Sequence, residues 1–79
     1  MSNEEIKNEL IKMGFEENYP DSDGYFLSKK LTYMYSLYYN VRKNSISVSV
    51  AYIGTITLFE DATIDRIKAL IYGLTGEKI

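Results

Sequence analysis

Apolar and polar residues alternate along two neighbouring stretches of the chain, and the phase of the alternation reverses at Lys43-Asn44. Before this point the apolar residues occupy odd positions, namely Leu31, Tyr33, Tyr35, Leu37, Tyr39 and Val41. After it they occupy even positions, namely Ile46, Val48, Val50, Tyr52, Ile56 and Leu58. Because successive side chains of a strand point to opposite faces, this pattern predicts a long antiparallel β-hairpin with one apolar face.

A two-residue turn at Lys43-Asn44 predicts the register of this hairpin. The expected pairs are Val41 with Ile46, Tyr39 with Val48, Leu37 with Val50 and Tyr35 with Tyr52. A slip by one residue would divide the apolar set between the two faces of the sheet, so the hydrophobic pattern specifies the register. A type I′ turn suits Asn44 better than Lys43, because both central residues need a positive φ.

The second half of the hairpin has two interpretations. Residues 48–58 form either one long strand bent at Gly54, or two strands that turn at Ile53-Gly54. The inward apolar residues stay at even positions throughout this stretch, which favours one strand. Gly54 then lies opposite Tyr33, where a glycine facing an aromatic residue accommodates a bend or a bulge.

Apolar residues recur at helical spacing near both ends of the chain. The first helix is predicted over residues 3–13, where Ser2 and Glu5 complete a capping box. Gly14 is expected to end it in a left-handed conformation, which lets Phe15 fold back on Leu10.

The second helix is predicted over residues 63–74. Thr63 is the expected N-cap, with Asp61 as an alternative, and Gly76 is expected to close the helix.

The segment between the first helix and the hairpin contains turn signals at Tyr19-Pro20-Asp21 and Asp23-Gly24, followed by a short predicted strand at residues 25–28. The sequence therefore predicts a single small α+β domain over residues 1–79. Its expected architecture is a three-stranded antiparallel sheet, a meander with a long central hairpin, flanked by an N-terminal and a C-terminal helix in the order α-β-β-β-α.

The composition removes several kinds of chemistry. The chain contains no Cys and no His, so it lacks thiolate ligands, a thiol nucleophile and the usual acid–base group near neutral pH. Asp21-Ser22-Asp23-Gly24 lacks the bidentate Glu and the spacing of a calcium loop, and is interpreted as a turn. We expect a non-enzymatic protein without metal or cofactor.

The N-terminus resembles no signal peptide, and no apolar run approaches the ~20 residues of a membrane span. A cytoplasmic protein is expected. Eleven acidic residues against nine basic ones give a net charge of −2, which counts against a broad surface for nucleic-acid phosphates.

The eight tyrosines are the most informative side chains for binding. Tyr33, Tyr35, Tyr39 and Tyr52 share the apolar face, where they are expected as core residues whose hydroxyls reach the rim. Tyr38 lies on the other face, diagonal to an expected pair of Met34 and Ile53. Phe26 joins them if Tyr25 and Leu27 point inward. An apolar group on an otherwise polar sheet face is either covered by the preceding loop or used to bind a partner.

The size, acidic balance, Tyr and Ser content and compact layout of the chain are similar to those of small proteins encoded by phages and mobile elements. Many of those bind and block a host protein, including defence nucleases. The predicted function is accordingly a protein-binding module or inhibitor that acts through its open sheet face or an acidic surface. The candidate contact residues are Tyr38, Met34, Ile53, Phe26, Glu16, Glu17, Glu60 and Asp61.

The alternative function is binding of single-stranded nucleic acid by the sheet aromatics together with Lys29-Lys30 and Arg42-Lys43. An exposed hairpin face or edge strand also makes a homodimer a candidate assembly.

Overall fold

The structure, a computed structural model, describes residues 1–21 and 24–78, and of residues 19–21 and 24 it describes the backbone only. The elements are α1 (Asn3–Lys12), β1 (Glu16–Asp21), β2 (Gly24–Lys30), β3 (Tyr35–Asn40), β4 (Ser45–Val50), β5 (Gly54–Phe59) and α2 (Ile64–Thr75). The strands form one antiparallel sheet in the order β1-β2-β3-β4-β5. The predicted α+β class is confirmed, whereas the prediction of three strands is wrong because the sheet has five.

The first additional strand, β1, occupies the segment that was predicted as a connecting turn. Its sequence, Glu-Glu-Asn-Tyr-Pro-Asp, is poor in the β-branched residues typical of strands. It becomes a strand because it pairs with β2, with Glu16 opposite Ser28 and Asn18 opposite Phe26. The pairing becomes irregular between Asn18 and Asp21. Ser22 and Asp23, part of the segment compared with a calcium loop, lie outside the described residues.

The second additional strand results from a reversal of the chain at residues 51–53, where Val50 pairs with Gly54. Tyr52 and Gly54 both have a positive φ, 67° and 134° respectively. The interpretation as one bent strand is therefore wrong, and that of two strands is right. A three-residue connection keeps even-numbered residues on the same face of both strands, which is why the phase of the pattern did not reveal the turn.

The β3–β4 hairpin has a longer turn than predicted. Its observed pairs are Tyr39 with Ile46, Leu37 with Val48, and Tyr35 with Val50, a shift of two residues from the predicted register. The residues between Asn40 and Ser45 form the turn, in which Asn44 has the expected positive φ of 52°. A shift by two leaves every side chain on its predicted face, because the side-chain period of a strand is also two.

Both helices carry the predicted caps. In α1 the Ser2 hydroxyl accepts a hydrogen bond from the Glu5 backbone N–H, and the Glu5 carboxylate accepts one from the Ser2 N–H. Gly14 follows α1 with a φ of 98°, and the Phe15 N–H donates to the Leu10 carbonyl at 2.9 Å. Phe15 and Leu10 are both buried, as the predicted helix end requires.

The cap of α2 is Thr63 rather than Asp61, because the Thr63 hydroxyl accepts a hydrogen bond from the Arg66 N–H. Gly76 ends α2 in the left-handed conformation.

The helices pack on one face of the sheet and form a single cluster of buried residues with it. The helices contribute Ile6, Leu10, Ile67 and Ile71, and the strands contribute Leu27, Leu37, Tyr39, Ile46 and Val48. The buried Tyr39 hydroxyl donates to Asn44 Oδ1 at 2.6 Å, and the Asn44 side-chain amide donates to the Ala62 carbonyl. These bonds satisfy the polar end of a residue whose ring fills the core.

Only half of the predicted aromatic core is observed. Tyr39 is buried, and Tyr35 is partly buried against the core. Tyr33 and Tyr52 are instead 84% and 105% exposed, respectively. Both lie in connections between strands, so the alternation that would have turned them inward does not extend to them.

Candidate functional site

The sheet face opposite the helices, called here the open face, carries a shallow depression of about 480 Å³. Its lining residues come from all five strands and are Asn18, Phe26, Ser28, Tyr38, Ser47 and Thr55. The lining side chains lie on the open face because their positions alternate along each strand with residues that point towards the helices. The structure therefore brings together Phe26 and Tyr38, two of the predicted contact residues.

Phe26 and Tyr38 form an aromatic pair on neighbouring strands. Phe26 lies opposite Asn40, and Tyr38 lies opposite Ser28, so the two aromatic residues are diagonal neighbours across β2 and β3. Such neighbours are roughly 7–8 Å apart, within reach of aromatic side chains. Both residues are partly exposed. The pair provides the only aromatic surface among the residues that line this depression.

Small polar side chains surround the aromatic pair. The Asn18 side-chain amide donates a hydrogen bond to Ser28 Oγ, and Ser47 Oγ lies 3.2 Å from Thr57 Oγ1. Within the described part of the chain, the Tyr38 hydroxyl has no hydrogen-bond partner. Hydrogen bonds thus orient Asn18, Ser28 and Ser47, whereas the phenol is available to a ligand or partner.

Asn18 and Ser28 were not among the candidate residues identified from the sequence. They were missed because β1 was predicted as a loop, so nothing indicated that the open face extends to a strand on that side. Ser47 and Thr55 were expected on this face as polar background. The structure shows that all four line the same depression as the aromatic pair.

A second depression adjoins the first and shares Ser28 and Tyr38 with it. Its other lining residues are Gly14, Glu16, Lys29, Lys30 and Ser36. A Cβ atom at Gly14 would lie 2.9 Å from the Lys29 ammonium. Lys29 therefore lies beside the C-terminal end of α1, where a cation complements the partial negative charge of the helix. The Lys29-Lys30 pair and Glu16 give this region charges of both signs.

Met34 and Ile53 do not join the aromatic pair. Met34 lies in the connection between β2 and β3, and Ile53 lies in the turn between β4 and β5. The Ala51 N–H donates to the Met34 carbonyl at 2.9 Å, which links these two loops at one end of the sheet. The predicted cross-strand pair of Met34 and Ile53 is wrong, since neither residue is in a strand. Ile53 is 75% exposed.

The predicted acidic residues are divided between distant parts of the molecule. Glu16 and Glu17 begin β1, and the Tyr25 hydroxyl donates to Glu17 Oε2 at 3.1 Å on the helix side of the sheet. Glu60 and Asp61 follow β5, at the opposite edge and the opposite end of the sheet. The two groups therefore do not form one acidic surface.

Arg66 contacts the backbone of Glu60 and Asp61. Its guanidinium Nη1 lies 3.3 Å from both backbone carbonyl oxygens and donates to them. The same guanidinium lies 4.1 Å from the centre of the Phe59 ring. These contacts hold the segment between β5 and α2, which supports a structural role for Arg66 at this position.

The shifted pKa values belong to structural contacts. Burial raises the pKa of Tyr39 to about 12. The hydrogen bond from the Ser2 backbone lowers the pKa of Glu5, and the Glu4 carboxylate at 2.8 Å raises the pKa of Lys7. Among residues 1–18 and 25–78, whose side chains the structure describes, no group of acidic side chains is arranged to hold a metal ion.

Comparisons with protein-family models, with curated proteins and with solved structures find no match for this chain. In the described part of the chain, neither helix has the length and apolar character that crossing a bilayer requires.

Proposed function

We propose that the chain is a non-enzymatic protein-binding module whose contact surface is the open face. The observation that carries this proposal is the aromatic pair, Phe26 and Tyr38, in a shallow depression on the sheet face that the helices leave uncovered. Aromatic residues near the centre of an interface commonly provide most of the binding energy. A partner that covers the depression would bury both rings and would give the Tyr38 hydroxyl a hydrogen-bond acceptor.

The surroundings of the aromatic pair favour a protein partner. Ser28, Ser47 and Thr55 provide hydroxyl groups, and Asn18 provides an amide. A combination of tyrosine with serine and asparagine is typical of adaptable protein-binding surfaces, because rigid aromatic area is accompanied by versatile hydrogen bonding. The lining of this depression contains no charged side chain. A protein surface of similar neutral character is the partner that this chemistry fits best.

The proposed mode of action is occupation of a partner's surface by a small rigid domain. An inhibitor of the kind that phages and mobile elements direct against host nucleases would act in this way. Acidic mimicry of nucleic acid is the less favoured variant, because Glu16-Glu17 and Glu60-Asp61 lie at opposite corners of the sheet. The open face is therefore the surface that we assign to the partner.

A second candidate function is binding of single-stranded nucleic acid. The observation that favours it is the second depression, where Lys29 and Lys30 lie near Tyr38. Bases could stack on the aromatic pair while the ammonium groups contact phosphates. Glu16 in the same depression and the net charge of −2 oppose this function.

Site-directed photo-crosslinking tests the proposal. A photoreactive phenylalanine analogue at position 38 should capture a specific protein in a lysate, and the same analogue at position 72 serves as control. Tyr72 is 50% exposed but lies on α2, away from the open face. The captured protein is then purified, and its Kd for the wild-type chain is measured directly.

Tyr38→Ala should raise that Kd about thirtyfold, which corresponds to a loss of about 2 kcal/mol of binding free energy. Tyr72→Ala should leave the Kd nearly unchanged, and both variants should melt close to the wild type. A Kd that is equally insensitive to Tyr38→Ala and Phe26→Ala would contradict the assignment of the open face.

Salt dependence distinguishes the two candidate functions. An apolar protein interface should change little in affinity between low and high salt, whereas phosphate binding should weaken steeply. Fluorescence anisotropy with labelled single-stranded oligonucleotides provides the second measurement. Tight, salt-sensitive binding of an oligonucleotide that is lost in Tyr38→Ala would favour the nucleic-acid function over the protein-binding one.

A further inference from the structure

Strand β5 is an exposed edge of the sheet with an unusual composition. It reads Gly-Thr-Ile-Thr-Leu-Phe and contains no charged residue and no proline. An edge strand presents a row of N–H and C=O groups that lack partners within its own sheet, and proteins commonly protect such edges with charges, prolines or covering elements. Residues 54–58 of β5 are all exposed. The strand itself carries no charge and no proline. Its only protective feature is an irregularity in the pairing near its end.

The helix-side surface of residues 54–58 in β5 is also uncovered. Ile56 lies opposite Val48, a core residue, so it is on the face that the helices cover elsewhere. It is nevertheless 55% exposed, and Leu58 is 41% exposed. The helices therefore leave residues 54–58 uncovered and reach only the end of β5, where Phe59 packs against the core. An apolar surface continues from the core to the edge of the sheet and remains open there.

We infer that β5 pairs with β5 of a second copy of this chain, in an antiparallel arrangement that joins the two sheets into one. The composition of the strand supports a second copy as the partner. In an antiparallel two-fold contact residue i of one copy lies opposite residue j of the other, and only residues near the axis face their own counterparts, so a charge near the middle of the strand would face a like charge. Residues 54–59 avoid this repulsion completely because all six are neutral.

The antiparallel direction also separates the charges that flank the strand. The beginning of one β5 lies beside the end of the other, so Glu60 and Asp61 of one copy approach Tyr52 and Ile53 of its partner copy. The two acidic pairs then remain a strand length apart. A parallel arrangement would place the acidic pairs side by side and is disfavoured for this reason.

The irregularity in β5 is compatible with this contact. The pairing with β4 shifts between Ile46 and Ser47, so Leu58 is the extra residue near the end of β5. Residues 54–57 pair regularly with β4 and present a regular edge outward. When two such edges pair, the Ile56 side chains of the two copies lie on the same face and shield each other from water.

Sedimentation velocity tests the inference. The wild-type chain should convert from monomer to dimer as its concentration rises from micromolar to submillimolar. Ile56→Lys should weaken this association at least about tenfold, because it places like charges at the contact. Tyr72→Lys is the matched control, since it adds the same charge at a residue of similar exposure, 50% against 55%, and should associate like the wild type.

A charge-pair rescue makes the test specific for a two-fold contact. Ile56→Lys and Ile56→Glu should each be monomeric, whereas an equimolar mixture of the two should recover dimers. Amide hydrogen exchange should show slower exchange in β5, and not in β1, as the protein concentration rises. A wild-type chain that stays monomeric throughout would overturn the inference, as would dimers that resist Ile56→Lys and are abolished by Tyr38→Ala.

Discussion

The two edges of the sheet have opposite characters. At one edge, β1 carries Glu16, Glu17, Pro20 and Asp21 in its sequence, and its pairing with β2 is irregular beyond Asn18. At the other edge, β5 has neither charge nor proline. A proline has no N–H to donate, and a charged residue must be desolvated when another strand approaches. The first edge is therefore protected against pairing, and the second is not.

This difference indicates how association can be specific and limited. A chain with two open edges could add further copies at both sides and grow without end, as aggregating sheets do. A chain with one open edge can form a two-fold pair and then stop, because the remaining edges of the pair are the protected ones. The protection of β1 is thus as important as the openness of β5.

The largest effect on stability is expected from a core substitution in β3, the central strand between the two edges. Leu37, in the central strand β3, is fully buried. Leu37→Ala should lower the free energy of unfolding by about 2–5 kcal/mol, because it leaves a cavity in the core. Denaturant unfolding measures this loss. Tyr33→Ala, at a residue that is 84% exposed, is the control and should change stability by less than about 0.5 kcal/mol.

Hydrogen exchange in Leu37→Ala shows whether the same core stabilises both edge strands. Both edge strands should lose protection together, since they share one core. If β1 kept its protection while β5 lost it, the two edges would belong to independently unfolding parts of the sheet.

The second effect is expected when charges are removed from the β1 edge and a charge is added to the β5 edge. Replacing both Glu16 and Glu17 by Thr removes two charges from β1 and should allow assemblies larger than dimers, which light scattering detects. Adding Ile56→Lys to this variant should stop the growth, because the β5 edge is then closed. Glu9→Gln with Glu77→Gln removes the same charge from outside the strands and should leave the assembly state unchanged. Growth in this control would mean that net charge, rather than the edge, limits association.

The third effect is a loss of folding stability at high pH. It depends on a hydrogen-bonded connection at the end of β5. Tyr39 donates to Asn44, which in turn holds the segment after β5 through Ala62. Burial raises the pKa of Tyr39 from its ordinary value of 10.0 to about 12. The unfolded chain therefore loses this proton before the folded chain does. The resulting stability is complete below pH 10 and is lost as the pH rises towards 12, by roughly 2–3 kcal/mol.

Unfolding measurements between pH 9 and pH 12 test this expectation. Tyr39→Phe should show a flatter decline over that range and a loss of about 1 kcal/mol at neutral pH from the missing hydrogen bond. The segment between β5 and α2 should loosen before β1 as the pH rises. Parallel pH profiles for the wild type and Tyr39→Phe would show that other groups cause the alkaline loss.

Local features of the fold were predictable from the sequence. The caps at Ser2 and Thr63, the helix end at Gly14 and the left-handed Asn44 each depend on residues a few positions apart. The inward face of the hairpin was also predictable, because the hydrophobic pattern survives a shift of two residues. For the same reason, Tyr38 and Phe26 were correctly expected on the face away from the helices.

The location of the candidate site was predictable only in part. The aromatic pair was anticipated, but the Asn18 side of the depression was not, because the pairing of β1 with β2 has no local signal in its sequence. Met34 and Ile53 were expected beside Tyr38 because a continuous strand was assumed through Gly54. Once the chain reverses at residues 51–53, both residues lie at the end of the sheet.

The sequence by itself determined the helices, their ends and the apolar face of the central strands, since these follow from short-range spacing and from the conformations that Gly and Asn adopt. Only the tertiary structure decided that there are five strands, which strands form the edges, and how far the helices extend over the sheet. Pairing partners and coverage are long-range properties. The backbone hydrogen bonds of β1 and the exposure of Ile56 depend on neighbours that are distant in the chain. The local sequence around β1 and around Ile56 does not specify those neighbours.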